Sequence, residues 1–495
     1  MYRTVAVVIS LVLEGCVTAP AYRPPEVQLP AAFRETLDSV PHAAVPGARS
    51  ERRKEPAPRG EVVSETAVTD TITAESAFWR GLGDTTLTRL MNEAVRANLD
   101  VRAAETRVRG ARAARTEVAL DLAPTVTVGG GYTRQRLSAA AFPIGSGSFP
   151  DQDIWDGGFD AAWEIDLFGR VRRNVQAQGA FVAVTREDLR DIQVSLSAEL
   201  ARAYFDLRGA QEQLSVAQQN GQNQRRTLEV TRQRLDAGRG TAFDTERALA
   251  QLSFTLASIP VLESRVAQAQ YQIGVLVGRP PAAVAGELAA AAALPELPSI
   301  GALSSPDSVI LGRPDVAAAE LRLAVERALV GAAKADYLPR VTLGGSAGYS
   351  STSFGSLGDR GTFRYAVGPI ISWPALNLGR VKARVDVSRA REEEARAQYD
   401  QTVLRALQEV EGALARYRTS RTSVERIQDA AAASERAAEL ARARFSGGVA
   451  DFLQVLDAER TQLEAQDQLA RGRTEAATAY AALYKALGGT LPSSD

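Results

Sequence analysis

Two long stretches of the chain place apolar residues alternately four and three positions apart. In the first, over 169–235, Leu196, Leu200, Ala203, Leu207, Ala210, Leu214, Ala217, Leu228 and Leu235 follow that spacing with no proline. In the second, over 379–445, Val403, Leu407, Val410, Leu414, Tyr417, Val424, Ala438, Ala441 and Phe445 do the same. Heptad spacing of this kind predicts helices packed as coiled coils. At ~1.5 Å per residue, each stretch is on the order of 100 Å long. Each ends at glycines, Gly238 and Gly240 or Gly447 and Gly448, which supply the left-handed conformations that turn a helical hairpin. Return helices are predicted over about 243–277 and 452–487, and two further helices, about 84–122 and 315–337, lead into strands. An autonomous coiled-coil rod has the same periodicity, but it gives no account of those strands.

Four short segments alternate with a period of two. Val126, Val128, Gly130 and Tyr132 alternate with Thr125, Thr127, Gly129 and Thr133, and Phe159, Ala161, Trp163 and Ile165 with Asp160, Ala162, Glu164 and Asp166. Val341, Leu343, Gly345, Ala347 and Tyr349 alternate with Thr342, Ser346 and Ser350, and Tyr365, Val367, Ile371 and Trp373 with Arg364, Ala366 and Ser372. The predicted strands are about 124–134, 158–167, 339–350 and 363–374. One face is apolar and aromatic, and the other is small, polar or charged. A membrane barrel with lipid outside and water inside requires this dyad, although a half-buried soluble sheet shows it too. Trp155, Trp163 and Trp373, three of the four tryptophans, lie in or beside these segments and suit interfacial girdles. The joining segments, about 137–158 and 351–362, are rich in Ser, Gly, Pro and Asp and suit exposed tips.

The two halves echo each other. Leu122-Ala123-Pro124-Thr125-Val126-Thr127-Val128-Gly129-Gly130 returns as Leu338-Pro339-Arg340-Val341-Thr342-Leu343-Gly344-Gly345, and the run 163–171 returns as 373–381. A duplicated helix–strand–strand–helix unit fixes the architecture. The expected organisation is a first repeat over 77–295 and a second over 296–490. Four strands cannot close a barrel, and lipid forbids an open sheet edge, so the chain must pool strands with copies of itself. Two copies leave little room inside, whereas three give twelve strands and a water-filled lumen. The fold class is therefore an α+β membrane protein. Its expected form is a homotrimeric 12-stranded transmembrane β-barrel joined to long coiled-coil helices, with an internal two-fold sequence repeat.

Composition narrows the chemistry. Over 495 residues, 58 Lys plus Arg nearly balance 59 Asp plus Glu, so charge implies no nucleic acid or other polyanionic partner. One cysteine and one histidine exclude an internal disulfide and leave no Cys/His metal site or Cys–His catalytic pair. The cysteine has a specific setting. Arg3 precedes an apolar run from Val5 to Leu13, followed by Glu14-Gly15-Cys16. That is a secretory signal too short to span a bilayer permanently. Leu13 and Gly15 fit a lipoprotein signal over residues 1–15, while Glu14 departs from it. The reading is lipid attachment at Cys16, as diacylglycerol and N-palmitoyl, with a simple signal peptide as the alternative. Residues 16–76, with Pro20, Pro24, Pro25 and Pro30, read as a lipid-anchored extended tether that also holds His42.

Cys16 with Pro20-Ala21-Tyr22, Phe78-Trp79, Leu311-Gly312-Arg313-Pro314-Asp315-Val316-Ala317-Ala318-Ala319-Glu320, and Phe452-Leu453-Gln454-Val455-Leu456-Asp457-Ala458 together resemble the outer membrane factor family. These are the TolC/OprM-like channels, and the likeness is greatest to their NodT-type lipoprotein branch. It covers nearly the whole chain apart from an enlarged linker before Glu75. The resemblance implies a trimeric twelve-stranded barrel continued by a long α-helical coiled-coil periplasmic tunnel, and passive export from the Gram-negative outer membrane as the outermost part of a tripartite efflux pump for drugs or other toxic small molecules. It implies a periplasmic adaptor (membrane fusion) protein and an inner-membrane transporter, of the RND type, as partners. It also implies a closed periplasmic aperture lined at Asp244, Gln454 and Asp457, where relatives often carry a carboxylate at the position of Gln454. Threefold copies of a carboxylate make a narrow negative ring; alternatively, Asp244 and Asp457 cap the return helices. Gly238, Gly448, Val449 and Ala450 are the hairpin tips that would meet the adaptor.

Three rival readings remain in view. Gly344-Gly345-Ser346-Ala347-Gly348 matches a nucleophile elbow in letters only, because it lies inside a strand with no following helix and no histidine base. No phosphate-binding or dinucleotide fingerprint sits at a strand-to-helix junction, so neither an enzyme nor a cofactor beyond the lipid is expected. A non-channel structural coiled-coil spacer of the periplasm, and a type I protein secretion channel, are the other two.

Overall fold

The computed structural model describes residues 25, 29–30, 32–35, 78–138, 150–298 and 305–489. The predicted signal peptide, Cys16, His42 and most of the predicted tether lie outside the described residues. Those described form two compact units, one from 106–187 and 317–401, the other chiefly from 78–105, 188–316 and 402–489. The division cuts through the long helices and not between the sequence halves.

In the first unit, helix α2 (Leu99–Leu120) leads into β1 (Thr125–Gln135), and β2 (Gln152–Ile165) leads into α3 (Arg170–Asp236). Helix α7 (Pro314–Ala335) leads into β3 (Arg340–Ser351), and β4 (Phe363–Ser372) into α8 (Leu378–Ser446). The four strands make one antiparallel sheet in the order β1-β2-β3-β4. Strand β2 begins at Gln152, earlier than the pattern predicts, and the Gly157-Gly158 pair is the reason. It reads as loop, yet it lies inside the ladder because the backbones there approach closely. A Cβ on Gly158 would stand 2.6 Å from the Ala347 carbonyl oxygen, and one on Gly348 2.7 Å from the Gly158 Cα. Helix α3 starts where Asp166 accepts the Val171 and Arg172 N–H groups at 3.1 and 2.8 Å, with Gly169 at φ +79° completing the turn.

The 67 and 69 residues of α3 and α8 correspond to roughly 100 Å of helix each. In the second unit α3 returns as α4 (Ala242–Leu276), and α8 as α9 (Phe452–Ala486). The apolar stripe of α3 has no apolar residue between Ala217 and Leu228, and the packing explains the gap. Asn220 and Gln224 are buried there. Asn220 donates to Gln466 at 2.9 Å, Thr227 to buried Glu459 at 2.8 Å, and Arg473 to Glu212 at 2.9 Å. These polar rungs run in opposite directions along α3 and α9, so they tie the register of the two helices at the cost of apolar packing.

The single helix predicted over 84–122 is two. Helix α1 (Thr85–Ala97) stops at Asn98, whose Oδ1 accepts the N–H groups of Asp100 and Val101 at 2.8 and 3.1 Å. Asn98 thus caps α2 while its Nδ2 donates to the Leu276 carbonyl at the end of α4, 2.9 Å away. The same joint recurs at Arg313, between α6 (Pro306–Gly312) and α7; α5 is the short Pro281–Ala285 turn before it. Arg313 donates to the Ala486 carbonyl at the end of α9 (2.6 Å) and pairs with Asp315 and Glu409 at 2.8 and 2.6 Å. A dense aromatic group fills this unit: Phe78 stacks on Tyr484 at 4.7 Å and Tyr480 at 5.4 Å, with Trp79 edge-on. Tyr204 donates to Asp84 at 2.6 Å; burial, then that carboxylate, pushes its phenol up to about 12. Part of the predicted tether is bound and not free. Arg34 and Glu35 donate their N–H groups to the Glu411 carboxylate at 2.8 and 3.0 Å, and Arg418 pairs with Glu35 at 2.8 Å.

Candidate functional site

The register of the sheet decides what each face presents. Directly opposed residues share a face in an antiparallel ladder. Tyr132 lies opposite Trp155, Val128 opposite Phe159 and Val126 opposite Ala161. Phe159 continues to Ala347 and Trp163 to Leu343, and Ala347 continues to Tyr365, Gly345 to Val367 and Val341 to Ile371. One face is therefore apolar or glycine across all four strands. The opposite face carries Thr127, Asp156, Asp160, Glu164, Ser346 and Arg364 in the same register. Arg364 pairs with Asp156 at 3.4 Å, and Arg170 with Glu164 at 2.6 Å. The apolar face is bare: Val128, Tyr365 and Val367 are 76%, 74% and 72% exposed. Such a patch marks contact with an apolar medium or a partner.

The tryptophans bracket this face. Trp155 packs on Tyr132 at 4.5 Å and Phe354 at 5.1 Å, and Tyr349 packs on Phe363 at 5.7 Å. Beyond this aromatic edge, Arg134 and Arg136 pair with Asp151 at 3.3 and 2.5 Å. At the other end Trp163 donates its indole N–H to the Leu122 carbonyl at 2.9 Å, and Trp373 donates to the Tyr337 carbonyl at 3.0 Å. From Trp155 to Trp163 is about 27 Å of strand at ~3.4 Å per residue. At the tilt usual for barrels this gives on the order of 20 Å of height, close to the ~25 Å apolar band of an outer-membrane wall. Tyr132, Tyr349, Phe354 and Phe363 of this aromatic edge are absent from the site expected from the sequence, which rests on tryptophan alone. Two-residue alternation of tyrosine with threonine or serine was the available signal.

The hairpin turns belong to the second unit. Gly238 and Gly448 adopt φ +66° and +75°, and Val449 beyond the second turn is 72% exposed. The Arg234 guanidinium lies 4.0 Å over the Phe445 ring and donates to the Phe445 carbonyl. Leu228, Leu252, Phe445, Phe452 and Val455 pack together just above the turns. Asp244 sits in the first turn of α4 and is engaged there: its carboxylate accepts from the Thr241 hydroxyl at 2.7 Å, while Thr241 caps the Asp244 N–H at 3.2 Å. Gln454 is exposed, and its N–H is taken by the cap Asp451 at 3.1 Å. Asp457 is exposed one turn further on, and among the described residues no side-chain partner is recorded for it. No hydrogen bond joins Asp244, Gln454 and Asp457 to one another. The caps themselves, Thr241 and Asp451, were legible as Thr and Asp placed before a helical run.

A family model described as outer membrane efflux protein matches residues 90–279 and 306–489. The chain belongs to the outer membrane efflux protein family. It is 27% identical over 487 residues to Nodulation protein T of Rhizobium leguminosarum bv. trifolii, covering 97% of this chain and 95% of that protein. It is 28% identical over 484 residues to the probable efflux pump outer membrane protein TtgC of Pseudomonas putida, covering 97% and 94%. Among solved structures it resembles the outer-membrane channel OprN, with a TM-score of 0.82, 35% identity and coverage of 96% of this chain and 99% of that one. The expected resemblance to the outer membrane factors therefore holds over nearly the full length of this outer membrane efflux protein.

Proposed function

We propose that this chain is the exit channel of a tripartite efflux pump, conducting small toxic compounds or drugs passively across the outer membrane. The observation that carries this reading is the register-matched sheet, apolar on one face over every strand and open at both edges. A sheet with that face cannot stop at an edge in lipid. Three copies, built from two halves of like design, close twelve strands around a polar lumen, and the long helices continue it as a periplasmic tunnel. The kinship with an efflux pump protein supports an adaptor at the turns around Gly238 and Gly448, and an RND-type transporter in the inner membrane. Direction and energy then come from the transporter, and the channel supplies the path. The test is export: cells lacking their own exit channel, supplied with a cognate adaptor and pump, accumulate a fluorescent pump substrate until this chain is expressed. Accumulation that persists with the protein present in the outer membrane contradicts the proposal.

Two consequences follow for individual residues. Asp457, exposed beside the turn, is the better aperture residue, since Asp244 is held by its cap. Asp457→Ala raises single-channel conductance in planar bilayers severalfold and lowers cation preference, by removing a threefold carboxylate ring. Unchanged conductance and selectivity leave Asp457 with no pore role. At the other end, Cys16→Ser abolishes labelling by a radioactive or clickable fatty acid while the oligomer still forms. Labelling that survives in Cys16→Ser excludes this cysteine as the anchor.

A further inference from the structure

The middle and the edges of the first unit differ in how they are covered. In the sheet, β2 and β3 are half-buried for most of their length, whereas β1 and β4 are exposed on nearly every residue. The helices repeat this. Within the unit α3 and α7 are buried or half-buried at most positions, while α2 and the start of α8 each bury only one narrow stripe, Val108 and Ala111 on α2 and Val381 and Val385 on α8. Helix α2 runs into the edge strand β1 and α8 leaves the opposite edge strand β4, so the unit has two unfinished borders, α2 with β1 and α8 with β4.

The border formed by α2 and β1 carries an uncompensated charge among the described residues. Arg112 and Arg115 on α2 and Arg186 on α3 make no ion pair among the described residues. The Nε of Arg186 is buried without a hydrogen-bond partner. Burial first, then the fields of Arg112 and Arg115, push the Arg186 guanidinium below its usual range. The second half of the chain shows what is missing. Arg327 stands thirteen residues before β3 (327 to 340), as Arg112 does before β1 (112 to 125), and Arg327 pairs with Glu392 of α8 at 2.9 Å. Glu392 lies thirteen residues after Gly379, and the residue thirteen after Gly169 is Val182. The first half therefore has the arginine without its carboxylate.

The contact between α3 and α7 indicates what would lie against that edge. Arg173, four residues after Gly169, lies across Gly331, nine before Arg340; a Cβ on Gly331 would meet its side chain at 3.2 Å. The positions with the same offsets on the open edges are Ala383 on α8 and Thr116 on α2, and both are exposed. If a second copy brings its α8 against α2 as α7 receives α3, Ala383 meets Thr116. The helices run antiparallel, so one turn further along both brings Asp386 level with Arg112 and Arg115. Asp386 is exposed, and among the described residues its one ion pair is with its own neighbour Arg389 at 3.6 Å.

We propose that Asp386 of one copy pairs with Arg112 and Arg115 of the next, and that this head-to-tail contact locks the copies around the ring. The partner is a second copy of this chain, and the proposal rests on the closed-barrel reading above. A heterologous contact of this kind closes a ring when the rotation per copy allows it, and it relieves three crowded guanidinium groups that make no ion pair among the described residues. Asp156, Asp160 and Glu164, the carboxylates of the polar sheet face, lie on β2 and not on the helical border.

The experiment is charge reversal on the full-length protein in detergent, read by native mass spectrometry and by the rate at which the oligomer dissociates. Wild type is expected as a trimer whose dissociation speeds up with salt. Asp386→Arg, and separately Arg112→Asp with Arg115→Asp, are expected to speed dissociation about tenfold and to reverse the salt dependence, because salt screens the like charges now opposed. Helix content by circular dichroism is expected to stay at the wild-type level. Combining all three substitutions restores the wild-type rate, because the two sides have exchanged charge; this rescue also shows that the single variants fold. A wild-type trimer whose dissociation none of the variants alters, or a triple variant no slower than the worse parent, overturns the pairing. A wild-type monomer overturns the closed barrel instead, so the two failures are told apart.

Discussion

Gly348→Val is expected to abolish the folded oligomer. The Cβ it adds would stand 2.7 Å from the Gly158 Cα of the paired strand, and neither backbone has room to retreat without breaking the β2–β3 ladder. Overpacking a core costs about 1–3 kcal/mol. Here the alternative is an opened ladder in lipid, where each unsatisfied backbone group costs several kcal/mol more. The measurement is the yield of heat-resistant oligomer in outer-membrane fractions, expected to fall at least tenfold, with Gly355→Val in the open loop as control. A Cβ on Gly355 meets nothing within 4 Å. Normal yield from Gly348→Val contradicts the close approach of these strands.

The second large effect separates the two faces of one strand. Val367 pairs with Gly345 on the apolar face, and its neighbour Ala366 pairs with Ser346 on the polar face. Val367→Arg places a cation against the lipid near mid-strand and is expected to cost about 2–4 kcal/mol in folding into vesicles. Ala366→Arg adds the same side chain one residue away, facing water, and is expected to change stability by less than about 1 kcal/mol. Urea titration of protein refolded in lipid vesicles reads both. Equal costs for the two variants mean that the sheet does not stand between lipid and water, and reversed costs mean that the faces are exchanged.

Much of this was legible in the chain because periodicity is a backbone property. The long helices, their return at Gly238 and Gly448, and the alternating strands came directly from spacing, and apart from the early start of β2 and the division at Asn98 the observed ends fall within a few residues of expectation. Where the reading differed, a side chain was acting through a distant partner. Asn98 divides one expected helix into two because it binds the carbonyl of Leu276, which no local pattern announces. Gly157 and Gly158 read as loop because glycine lowers strand propensity, and only the approach of β3 explains them. The gap in the α3 stripe at Asn220 and Gln224 is a polar seam against α9, which apolar spacing alone does not announce. At the site, the tryptophans were visible as types, while the register that sets Trp155 beside Tyr132 needed the sheet. Asp244 and Asp457 looked alike in sequence; only the Thr241 contact separates them.

Cryo-electron microscopy of the detergent-purified protein decides whether the sheets of several copies close into a barrel. Three-fold particles are expected, in which twelve strands close a short barrel around an open lumen, continued by a helical extension on the order of 100 Å. Monomers, or a solid rod without a lumen, would contradict that closure.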